Sequence, residues 1–111
     1  MPTIQIISDD TKEIKRIKVS NITLVRTFSA GVHFGIVKKR KGKEVTLVNA
    51  RRLWSWAGAC SLSQVATDGV DVKESKISVT VPEITLTEAI ELIPMTNKAA
   101  MVLMEAKPWK K

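Results

Sequence analysis

Between Ile22 and Trp56, β-branched and aromatic residues recur in short runs separated by glycine-bearing turns. That pattern restricts the chain to a fold built on antiparallel strands. Ile22-Thr23-Leu24-Val25-Arg26-Thr27-Phe28 reads as a strand with Arg26 its only charge. Ser29-Ala30-Gly31 punctuates it, with Gly31 free to take a positive φ at a tight turn. Val32 to Lys39 is the next strand, and Gly35 inside it marks a bulge or a close backbone approach. Lys38 to Lys43 forms a basic hairpin loop pivoting on Gly42, and Glu44 to Ala50 returns as a strand. Arg51 to Trp56 continues extended, which under the period-two rule puts Trp54 and Trp56 on one face.

The flanks add to this sheet. Thr3 to Ile7 and Glu13 to Val19 form a hairpin about Asp9-Asp10, whose short side chains favour a turn. Ser61 caps a short helix running to Thr67, which Asp68-Gly69 ends. Ile77 to Val81 is a strand broken by Pro82. Ile84 to Ile93 mixes strand and helix formers and is read as a strand ending at Pro94. Thr96 caps a helix to Ala106 whose Ala99, Val102, Leu103 and Ala106 recur on one face, and Pro108 stops it. The expected fold is α+β: a mostly antiparallel sheet of hairpins, one short helix and one C-terminal helix, in a single domain over residues 1–111.

Composition narrows the function classes. A lone cysteine, Cys60, excludes an intrachain disulfide and a cysteine-rich metal site, so a reducing compartment is expected. No run approaches the ~18 apolar residues of a membrane span, and Met1-Pro2-Thr3-Ile4-Gln5 does not resemble a secretory leader. There is one histidine, His33, and nothing links it to Cys60 as a nucleophilic pair. Neither a Walker loop nor a dinucleotide fingerprint occurs. The expectation is a binding protein without catalytic residues, metal or cofactor. Residues 1–52 hold 12 Lys and Arg against 4 Asp and Glu, whereas residues 53–111 hold 6 against 7. The basic half favours an anionic partner.

Three segments carry binding chemistry, each with a plainer alternative. Ser29, Ala30 and Gly31 can turn backbone N–H groups toward a phosphate, followed by His33 and by Phe34 as a face for a base; the alternative is an ordinary hairpin turn with Phe34 in the core. Asn49-Ala50-Arg51-Arg52-Leu53-Trp54-Ser55-Trp56 sets two guanidinium forks for phosphate or a base edge beside two indole faces, with Asn49 able to read a base. Its alternative makes Trp54 and Trp56 core or interface anchors. The loop at 38–43, five of whose six residues are positive, can clamp phosphates or merely be a solvated hairpin tip.

Arg26 to Gly35, Asn49 to Ala59, Ser61-Leu62-Ser63-Gln64 and Leu86 to Pro94 together resemble a family of small proteins encoded by tailed phages. The stretch through residues 49–64 is the specific part, and nothing is carried onto residues 1–21. That family is similar to phage anti-defence sponges, which capture the cyclic nucleotide signals of bacterial CBASS or Thoeris immunity. The resemblance implies a protein of the infected host's cytoplasm that sequesters a cyclic nucleotide without cleaving it, working as a symmetric homo-oligomer. The candidate ligand-binding residues rest on their chemistry: Arg26, Ser29, Gly31, His33, Phe34, Asn49, Arg51, Arg52, Trp54 and Trp56. The alternatives are a nucleic-acid-binding phage regulator and a phage structural or assembly protein.

Overall fold

A computed structural model describes residues 3–7, 14–18 and 22–109. β1 (Thr3–Ile7) and β2 (Ile14–Lys18) pair antiparallel, from Thr3 opposite Lys18 to Ile7 opposite Ile14, as a separate two-stranded sheet. The Asp9-Asp10 turn expected between them lies outside the described residues. The main body is a six-stranded antiparallel sheet with two helices, an α+β fold. Its strands are β3 (Ile22–Thr27), β4 (Val32–Lys41), β5 (Glu44–Ser55), β6 (Lys76–Ile77), β7 (Val81–Leu86) and β8 (Ala89–Pro94). The order is β6-β5-β4-β3-β8, with β7 also on β5.

β5 is long enough to serve two partners on one edge. β7 pairs its first half, from Leu86 opposite Val45 to Val81 opposite Ala50, and β6 pairs Leu53 and Ser55. Between them the chain crosses at Ser78, which accepts the Arg52 N–H on Oγ at 2.7 Å and donates its own N–H to the Arg52 carbonyl at 2.9 Å. β7 and β8 are consecutive in the chain yet pair with β5 and β3, on opposite sides of β4. The sheet therefore coils toward a barrel, as a twisted sheet can when one face needs covering and no helix covers it.

Two apolar clusters match the two faces. The outer face packs Ile22, Leu24, Phe34 and Leu53 against Val65 and Ala66 of α1 (Leu62–Asp68) and Ala99, Ala100, Leu103 and Met104 of α2 (Asn97–Met104). The inner cluster comes from the coiled sheet: Val25, Val45, Leu47, Ala50, Leu86 and Ala89. A bulge shifts side chains between these faces. Gly35 stands opposite Asn49 and Ala50, since Phe34 pairs with Arg51 and Ile36 with Val48. A Cβ on Gly35 would sit 3.0 Å from the Val48 carbonyl oxygen and 3.1 Å from the Ala50 Cα, so glycine is what permits the approach. Asn49 takes φ 51°, a left-handed conformation asparagine tolerates.

Both helix caps form as read from sequence. Ser61 Oγ accepts from Gln64 N at 3.2 Å, and Thr96 Oγ1 accepts from Ala99 N at 3.1 Å while donating to the Thr67 carbonyl at 2.7 Å. Three expectations change. The strand placed at Ile77 to Val81 is only the two-residue β6, and Pro82 lies within β7 rather than ending a strand. The segment 84–93 is two strands, with residues 87–88 between them. The basic stretch at 38–43 is mostly ladder: β4 runs through Lys41 and only residues 42–43 turn.

Candidate functional site

The bulge at Asn49 sends consecutive side chains of β5 into different surroundings. Arg51 is 2% exposed. Its Nη1 donates to the carbonyls of Leu103 and Met104, each at 3.0 Å, and its Nε to the Ser78 carbonyl at 2.9 Å. It thus adds a charged donor to two carbonyls in the last turn of α2, that of Leu103 also accepting from the Ala106 N–H at 3.4 Å. Burial lowers its pKa to about 10, so it stays charged at neutral pH.

Arg52 turns the other way. Its Nη2 donates to the Ala30 carbonyl, and its guanidinium carbon lies 4.4 Å from the centroid of the Trp54 ring. Trp54 is 56% exposed, so the indole keeps an open surface beside the stacked arginine. His33 is the cross-strand neighbour of Arg52 and is 3% exposed. Burial, and then the charge of Arg52, lowers its pKa to about 4, so it is neutral at pH 7.

These three residues line a cavity of about 240 Å³ that Ala50, Val81 and Ile84 complete on the apolar side and that Arg51 and Ser78 also border. It opens where β5 parts from β7, beside the inner cluster. Among the described residues, three buried polar atoms around it have no hydrogen-bond partner: His33 Nδ1, Arg51 Nη2 and Arg52 Nε. Such atoms are costly unless something satisfies them. The ion pairs among the described residues are Arg26–Glu91 and Lys38–Glu83, so neither Arg51 nor Arg52 is balanced by a carboxylate. The arrangement suits an anion that accepts hydrogen bonds and carries a flat ring.

The sequence-derived candidates divide accordingly. His33, Arg51, Arg52 and Trp54 come together at the cavity. Ser29 and Gly31 line a neighbouring groove on the other side of Arg52 and Trp54. One amide of the cradle expected there is already engaged: Ala30 N–H donates to Thr27 Oγ1. Ser29 Oγ donates to the Glu88 carboxylate, which sets a negative charge where a phosphate was expected.

Phe34, expected to stack on a base, is fully buried in the outer cluster. Trp56 packs against that same cluster, because β5 ends at Ser55 and the two tryptophans do not share a face. Arg26 is paired with Glu91 at 3.5 Å and is absent from the cavity lining. Asn49 serves the bulge. Lys76 and Trp109 were not singled out from sequence, yet they border the far side of Trp54. An isolated lysine on a two-residue strand and a tryptophan beyond a helix-stopping proline carry no periodic signal.

Among the described residues no group of three or more His, Cys, Asp or Glu side chains is placed to hold a metal, and no helix is long and apolar enough to cross a membrane. The family model for a domain of unknown function, DUF6948, matches residues 20–103. No curated protein and no solved structure matches the chain.

Proposed function

Since this chain belongs to the DUF6948 family, its own chemistry has to carry the functional reading, and we propose that it is a non-enzymatic binding protein for a nucleotide-type anion. One observation carries this: an arginine with no carboxylate partner among the described residues lies stacked on a half-exposed tryptophan at the mouth of a cavity that holds a buried histidine nitrogen, itself without a partner among those residues. In this reading Arg52 meets a phosphate, the open part of Trp54 takes a base, and His33 Nδ1 exchanges a hydrogen bond with the base or sugar.

The resemblance to tailed-phage proteins supports a cyclic nucleotide immune signal as the ligand, sequestered in the host cytoplasm. A cavity of about 240 Å³ is smaller than the ~300–1,000 Å³ usual for small-molecule sites. It holds one base or one phosphate group, so a larger ligand needs neighbouring surface or a second copy of the chain. That size supports the homo-oligomer.

A thermal-shift series against a panel of cyclic nucleotides tests the proposal. A specific ligand at 100 times its dissociation constant adds about 2.7 kcal/mol, or a rise of roughly 10 °C for a domain of this size. Ligand recovered intact after boiling the complex supports sequestration, and a cleaved product sinks it. The nucleic-acid reading rests on Lys39, Arg40, Lys41 and Lys43, which are exposed at the β4–β5 hairpin. It requires binding that weakens steeply with added salt and is lost when those residues are replaced by glutamine.

A further inference from the structure

On the side of Trp54 away from His33 lies a second cavity, of about 310 Å³, lined by Trp54, Ser55, Lys76 and Trp109. Lys76 is opposite Ser55 in the β5–β6 pairing. Its ammonium lies 5.0 Å from the centroid of the Trp109 ring. Trp109 is held in place by its own N–H, which donates to the Ile77 carbonyl at 2.7 Å, and it is 44% exposed. The chain has three tryptophans, and two of them stand outward, each against a cation. A half-exposed indole is poor surface for a protein that binds nothing there.

The two cation–indole pairs are neighbours. Arg52 and Trp54 are on β5, and Lys76 begins the adjacent strand, so about 5–10 Å separates their strand positions. Two positive groups for phosphate, two indoles for bases and a continuous wall through Trp54 repeat one recognition unit. Because Trp54 borders both cavities, a ligand spanning them passes across its face.

We infer that Trp109 and Lys76 form a second base-and-phosphate subsite, so that the ligand is a phosphodiester-linked unit of at least two nucleotides. This rests on the nucleotide reading of the first cavity. Phosphodiester-linked nucleosides reach such a surface as a cyclic signal or as a linear strand, and the chemistry shared by the two is what the subsites recognise.

Calorimetric titration of the full-length protein with adenosine monophosphate, linear pApA and cyclic di-AMP tests it. At least one dinucleotide is expected to bind about tenfold or more tighter than the mononucleotide, as one added base stack provides. Trp109→Ala and Lys76→Gln should bring that ratio toward one, and Trp109→Phe, which keeps a ring, should retain most of it. A gain confined to cyclic di-AMP identifies the cyclic source, and a gain confined to pApA identifies a strand. Equal affinities, or a ratio that Trp109→Ala leaves intact, overturn the second subsite. If Trp54→Ala still removes mononucleotide binding in that case, the first reading stands. Absence of binding by all three ligands overturns both.

Discussion

Arg51 and Arg52 leave β5 in opposite directions: the first ends on the Leu103 and Met104 carbonyls beneath α2, the second on the Ala30 carbonyl and the Trp54 ring. Two residues of identical chemistry thus have separate tasks, one joining the helix layer to the sheet and one facing the cavity. Their substitution should separate stability from binding.

Arg51→Met removes the donor to three carbonyls, those of Ser78, Leu103 and Met104, and leaves them facing an apolar side chain. Bonds to a charged donor contribute about 1.5–3 kcal/mol each and are not additive, so a loss of about 3–5 kcal/mol is expected. The urea unfolding midpoint measures it. Arg51→Lys should recover only part, since a single ammonium does not reproduce the planar fork.

Trp54→Ala should cost less than about 1 kcal/mol of stability, because the indole is more than half exposed. The same variant should abolish the thermal shift produced by a nucleotide ligand. Arg52→Lys keeps the charge and loses the flat stacking group, so its ligand affinity should fall between wild type and Arg52→Ala. Retention of full ligand binding by Trp54→Ala would contradict the proposed site.

His33 makes stability depend on pH in a defined direction. Its folded pKa, about 4, lies below the ordinary 6.5, so between those values the unfolded chain takes up a proton that the folded chain refuses. Its contribution is fully present above pH 6.5 and is lost as pH falls toward 4. The size of the shift corresponds to about 3 kcal/mol across that window. Denaturant midpoints measured from pH 7.5 to 4 should show the decline, and His33→Asn should flatten it.

Gly35→Ala places a methyl group against the backbone of the facing bulge, 3.0 Å from the Val48 oxygen and 3.3 Å from that of Asn49. Neither is a flexible side-chain end, so the strands must separate. A loss of about 1–3 kcal/mol is expected. Asn49→Gly should be tolerated, and Asn49→Val should not, because a β-branched residue resists the left-handed conformation at φ 51°. Thermal unfolding of the three variants tests the ranking.

Much of the scaffold was readable from local chemistry. Ile22 to Thr27 forms a strand because all its residues but the exposed Arg26 are β-branched or apolar and bury on both faces, and Ser61 and Thr96 cap helices because their hydroxyls reach backbone N–H groups three residues on. The site was readable only as a region. Period two, applied from Arg51 onward, groups Trp54 with Trp56, yet β5 stops at Ser55 and Trp56 turns to the outer cluster. Phe34 and Arg51 were candidates because stacking and phosphate binding use those residue types, but tertiary packing claimed both. The partners that matter to Arg51 lie 52 and 53 residues away, beyond any local pattern. Lys76 and Trp109 meet only because the tail returns along β6.

The unpaired residue opposite Gly35 also shifts the odd-even numbering, not the facing, of everything that follows it on β5. Because Asn49 is the residue the bulge takes up, a chain without it would still pair Val48 with Ile36, Ala50 with Gly35 and Arg51 with Phe34, and Arg52 and Trp54 would keep the cavity side while Arg51 and Leu53 kept the helix side. The bulge thus acts as slack in the strand, absorbing one residue of length while each downstream side chain stays on its own face.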